Sequence, residues 1–181
     1  MLSITGIIFL LFFPASLGIL IQVIWGQELT HQLLASGLFL FSIEQARMAD
    51  QDLQLIEKAK QQVKDIRLNT FSFITISTIF LELIGFYLSS VWLGWGVILI
   101  VLSLIWFNLF APIKIHPEAE IVIQPWKISE RLPVLIADAI AFVLLTLWIC
   151  QIASIWISWM IFGMVLVYCS IKLVLFLRVL I

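Results

Sequence analysis

The sequence predicts an all-α integral membrane protein, with about six transmembrane helices in three sequential hairpins and one amphipathic helix on the cytoplasmic side. Three observations predict it. Of the 181 residues, 63% are hydrophobic and 12% charged, and the mean hydropathy is +1.17. Soluble domains run near half apolar and a quarter charged, and a chain this short cannot hide so much apolar surface from water. The apolar residues also fall in blocks of span length. Finally, Lys and Arg gather in alternate links between these blocks, and Trp in the others.

The first span is read over 4–25, apolar except for Ser, Thr and Gln22, with Pro14 and Gly18 placed for a kink. No Lys or Arg precedes it, so it reads as a retained span rather than a secretory signal. A short polar link with His31 leads into a second block, 29–46, just long enough to cross and also compatible with a re-entrant segment. From 47 to 68 polar residues outnumber apolar ones. Ala49, Leu53, Ile56, Ala59, Val63 and Ile66 recur there at steps of three and four, which is the pattern of an amphipathic helix. Such a helix either rests along the headgroups or docks on another subunit. Leu53, Ile56, Lys60, Lys64 and Arg67, together with Trp126 further on, are the docking candidates.

Two more spans are read over 71–91 and 92–110, with Ser89, Ser90, Trp92, Gly94, Trp95 and Gly96 at their turn. The connector 111–133 carries Pro112, Pro117, Pro125 and Pro133, which argue against a long helix, and 121–123 reads as extended. The last two spans are read over 134–155 and 156–180, turning near Trp156 and Trp159. The whole chain, 1–181, is one transmembrane domain. Arg47, Lys58, Lys60, Lys64, Arg67, Lys114, Lys127, Arg131 and Arg178 fall on one side, and the Trp-bearing turns on the other. The positive-inside rule puts the two long connectors and the C-terminus in the cytoplasm, in a bacterial inner membrane or a thylakoid.

Among residues able to carry chemistry, Glu82 is foremost. It lies eleven residues into the third span, roughly 16 Å along the helix. A carboxylate at that depth is costly, so it stays protonated or serves a proton or cation. Ser103 falls opposite it by counting from the turn, while Thr75, Ser77 and Thr78 can bond their own helix carbonyls. Asp138 and Lys172 fall at similar depth on the last hairpin and are expected to approach each other. Asn108, Gln22 and Gln151 are too scattered to define a site. Cys150 and Cys169 read as small buried hydrophobes.

Phosphate-loop, dinucleotide, zinc-protease and nucleophile-elbow motifs are all missing, as is GxxxG, and no catalytic, metal or cofactor site is assigned. His31 and His116 face opposite sides, so each could hold a chlorophyll or haem only singly. A net charge of −1 gives no field for nucleic acid. The size and span count are similar to those of the substrate-binding membrane subunits of vitamin importers, an architectural likeness that carries no residue. The reading that results is not an enzyme. It is a membrane subunit or assembly factor that lies in the bilayer and docks on other membrane subunits, of a photosynthetic or respiratory complex. The alternative is a small ion- or proton-coupled transporter or channel using Glu82.

Overall fold

The structure is a computed structural model, described for residues 4–25, 28–117 and 121–180; the side chains of 117 and of 175–180, Arg178 among them, lie outside the description. Among the described residues six helices and one short hairpin of strands follow in order: α1 Ile4–Trp25, α2 Leu29–Gln62, α3 Arg67–Ser89, α4 Leu93–Phe110, β1 Ile113–Pro117, β2 Ile121–Pro125, α5 Ile128–Ile149 and α6 Ser154–Leu180. Five of the helices, all but α2, are long and apolar enough to cross a membrane.

The separate span 29–46 and amphipathic helix 47–68 are one helix, α2, and it stops at Gln62. No Gly or Pro interrupts residues 38–66, and the Ala, Leu, Gln, Glu and Lys found there are good helix formers. Val63 turns extended and donates its backbone N–H to the Ala59 carbonyl, which ends the helix. Lys64 and Asp65 therefore lie in a link, and Arg67 opens α3.

α2 runs antiparallel along α1. Gln22 contacts His31 at one end, Ser16 Oγ and Ser42 Oγ lie 2.8 Å apart, and Thr5 donates to Asp50 at the other end. α3 and α4 form a second tight hairpin, and Gly85 and Gly96 let their backbones meet. The main core joins Phe12, Ile19, Leu34, Phe86, Leu93, Ile100 and Leu145 across five helices.

The connector 111–133 is more ordered than its prolines suggest. Its strands pair antiparallel, with Ile115 opposite Ile123. Ile113 and Ile115 point into a second cluster with Ile56, Ala59, Leu68 and Phe71, while Lys114 between them is exposed. That is the period of two expected of a strand. α5 begins at Ile128, ahead of Pro133. The carbonyl that Pro133 frees belongs to Ser129, which is exposed, so water can satisfy it.

The third hairpin is not a packed pair. α5 lies against α4 and α6 against α2, and the two touch chiefly at their shared turn, where Trp148 Nε1 donates to Ser158 Oγ at 2.8 Å. Gly37 admits the α6 backbone close to α2, at Phe162. The turn, residues 150–153, holds Gln151 and Ala153 at φ 59° and 50°. Cys150 sits exposed in this turn rather than buried, because α5 ends one residue before it; Cys169 is half-buried.

Candidate functional site

The polar side chains with the most structure around them lie toward the end of the bundle that holds Lys60 and Arg131. One group is centred on Arg131, in the first turns of α5. It is 4% exposed. Its Nη1 donates to the Asn108 carbonyl at 2.6 Å and its Nη2 to the Trp126 carbonyl at 2.8 Å, and the guanidinium lies 5.2 Å from the Trp126 ring centroid. Asn108 is in the last turn of α4, so Arg131 caps a helix whose end carries partial negative charge. The Asn108 amide donates in turn to Asp138 Oδ2 at 3.2 Å. Arg131, Asn108 and Asp138 thus form a relay that ties α4, α5 and the strand hairpin together. Arg131 Nε has no hydrogen-bond partner among the described residues.

Asp138 therefore does not meet Lys172. The expectation rested on α5 and α6 staying together below their turn, and they part. Lys172 sits over the Tyr168 ring at 5.6 Å, and Tyr168 donates to Met48 Sδ of α2 at 3.4 Å. Asp52 of α2 lies within electrostatic reach of Lys172.

Glu82 is 2% exposed on the inner face of α3. Ser103 shares its depth but is turned to its own helix, donating to the Ile100 carbonyl at 2.6 Å. Thr75, Ser77 and Thr78 likewise bond carbonyls of α3. Asp52, not Ser103, is the charged neighbour of Glu82.

Asp52 lies on α2 beyond the level of Thr5 and is half-buried. Burial pushes its carboxyl up from 3.8 to about 6, with Lys172 pulling the other way. A carboxyl raised on folding binds more protons folded than unfolded. Its favourable contribution is complete below the ordinary pKa and is lost as pH rises through about 6. Asp52→Asn should therefore match the wild type near pH 4 and exceed it at neutral pH by about 1–2 kcal/mol, after discounting for partial exposure. Thermal unfolding in detergent across pH measures this, and a difference independent of pH would contradict it.

The docking candidates are largely occupied within the chain. Ile56 is buried beneath β1, Leu53 packs on the main core, and Trp126 meets Phe107 edge to face and lies under the Arg131 guanidinium. Lys60 donates to Ser72 at 3.0 Å. Arg67 grips Asp65 at 2.7 Å and, with its own backbone N–H, holds the Asp65 carboxyl below the ordinary range. Lys64 is exposed beside an open hollow of about 410 Å³ at this turn.

At the other end His31 Nε2 is 2.7 Å from Gln22 Oε1, and Gln22 donates to the Ser89 carbonyl. His116 lies on β1, opposite Val122, at the end remote from His31. Among the described residues no three His, Cys, Asp or Glu gather to hold a metal ion.

Asn108 and Gln22, set aside in sequence as too scattered, thus each join two elements. Arg131 counted there only toward orientation. A basic residue four places into a helix, with an Asn in the last turn of the preceding one, was the available signal for the relay.

Fold and composition define the class: an integral membrane protein in contact with the lipid bilayer, with five candidate spans. Comparison with known protein families, with curated proteins and with solved structures finds no match.

Proposed function

We propose that this chain is a non-catalytic membrane subunit or assembly factor that docks on a larger membrane complex, photosynthetic or respiratory. The observation that carries the reading is how little of α5 and α6 is buried. α5 fully buries only Arg131, Leu145 and Trp148, and on α6 only Ile157 and Ser158 are buried among the described residues. Two helices that part below their turn leave long apolar faces free for lipid and for the helices of a partner. Trp156, Trp159, Met160 and Met164 stand exposed on α6, and aromatic and Met side chains are enriched where proteins meet.

The polar inventory favours the same reading. Most hydroxyls of α3 and α4 bond carbonyls of their own helix, and the Asn108 amide bridges to Asp138.

In this reading α2 is a sixth crossing, because its Leu29–Asp50 portion lies alongside the whole of α1. The helices then alternate in direction, and the positive-inside rule assigns the Lys60 and Arg131 end to the cytoplasm. Extraction from native membranes in mild detergent, followed by a native gel, tests the proposal. The chain is expected to migrate with a larger assembly. Migration alone at its own 20.7 kDa plus detergent would overturn it.

A further inference from the structure

We propose that Asp52 and Glu82 form one proton-binding site beside Lys172, open to the basic end of the bundle and holding a single proton at neutral pH. It is independent of the docking reading.

The placement follows from two helix registers. α2 and α3 are antiparallel, with Lys60 Nζ donating to Ser72 Oγ. Eight residues back along α2 is Asp52, and ten residues on along α3 is Glu82. At 1.5 Å per residue, this register and the α1 markers below place the two carboxyls within roughly 3–8 Å of one depth, Asp52 on the Lys60 side. α2 and α6 are parallel, with Tyr168 donating to Met48. One turn further along each helix brings Asp52 level with Lys172. Asp52 thus faces the acid on one side and the lysine on the other, within electrostatic reach of both.

The level of the pair sets its access. Phe12 of α1 packs on Phe86 of α3, which are parallel, so Glu82 stands near the level of Ile8. That is roughly 6 Å above the first turn of α1. Asp52 lies beyond Thr5, on the Lys60 side. A proton arriving from that side meets Asp52 first.

Charge counting fixes the stoichiometry. Glu82 is 2% exposed. Two like charges this close in a poorly solvated site do not both ionise. Lys172 balances one carboxylate, so one proton on the pair leaves the group neutral. The other ionisable side chains near this level, among the described residues, are few. Asp50 of α2 accepts from Thr5 and Gln54, α6 adds the Tyr168 phenol and the half-buried Cys169 thiol, α4 presents Ser103, and α1 carries no ionisable side chain. Glu44 and Arg47 are paired with each other, and Asp138 is held by Asn108.

Infrared difference spectra of the full chain in lipid nanodiscs, recorded across pH, read protonated carboxyls directly. Wild type should show a protonated-carboxyl band at neutral pH that Glu82→Gln removes. Asp52→Asn should move its titration midpoint down by about 1 pH unit or more, and Lys172→Met should move it up. No such band at neutral pH, or a band that Glu82→Gln leaves intact, overturns the site. A midpoint unmoved in both Asp52→Asn and Lys172→Met overturns the pairing, and these variants keep the proposal falsifiable should Glu82→Gln fail to fold.

Discussion

Arg131→Ala is expected to destabilise the protein by about 3–5 kcal/mol. The side chain is 4% exposed and serves two carbonyls at once, that of Asn108 ending α4 and that of Trp126 ending the strand hairpin. Alanine leaves both without their donor. Each orphaned acceptor costs about 1–3 kcal/mol, and the stacking on Trp126 is lost as well. Arg131→Lys separates these contributions. Its single ammonium can reach one carbonyl but cannot fork across two or stack as a plane. It should recover less than half of the loss. Unfolding in mild detergent measures both variants. The strand hairpin should also become sensitive to protease in Arg131→Ala, because Arg131 is its anchor to α4. A variant as stable as wild type would mean that the unpartnered Nε costs as much as the two bonds give, since a buried charge is not stabilising by default.

How much of this was legible in the sequence follows from what each signal measures. α1, α3 and α4 fall within a few residues of their expected bounds, because a run of apolar residues of span length has few alternatives in a bilayer. The junction between 46 and 47 was drawn where composition changes. Composition reports the solvent, whereas the backbone of α2 continues because nothing between Gly37 and Val63 stops it. The connector shows the converse. Its prolines do exclude helix up to Trp126, and the alternation of Ile113 with Ile115 and of Ile121 with Ile123 marks a hairpin whose pairing only the fold reveals.

Helix neighbours were the least legible feature. Within lipid every face of α5 and α6 can be apolar, so no stripe in the sequence says that α5 belongs to α4 and α6 to α2. The pairing of Asp138 with Lys172 failed for that reason. Glu82 was conspicuous as a charge within an apolar block. Its neighbour Asp52 was hidden among the charges of 47–68, where one more carboxylate carries no information until the register is known.

Gly96→Ala tests the closest helix contact and is expected to cost about 3 kcal/mol or more. A methyl on Gly96 would stand inside contact distance of the Ser89 hydroxyl and backbone nitrogen, and 2.5 Å from the Gly85 carbonyl oxygen. Two of these are backbone atoms of α3 and cannot turn aside as a side chain can. The helices must part, and overpacking of a fixed core already costs about 1–3 kcal/mol. Packing is also what holds helices together where lipid offers the same apolar surroundings, so separation is not offset by burial elsewhere. Gly85→Ala should cost less, since the backbone atoms it would meet, the Gly96 carbonyl oxygen and the Ile100 nitrogen, stand at 3.0 and 3.2 Å, farther than those facing Gly96. Gly163→Ala on α6 is the control. Nothing lies within 4 Å of the added methyl, and alanine is the better helix former by about 1 kcal/mol. Thermal unfolding in mild detergent should therefore rank the variants with Gly96→Ala least stable, Gly85→Ala next, and Gly163→Ala at or above wild type. If Gly96→Ala unfolded together with Gly163→Ala, the close crossing of α3 and α4 would be wrong. With it would go the depth at which Ser103 stands level with Glu82.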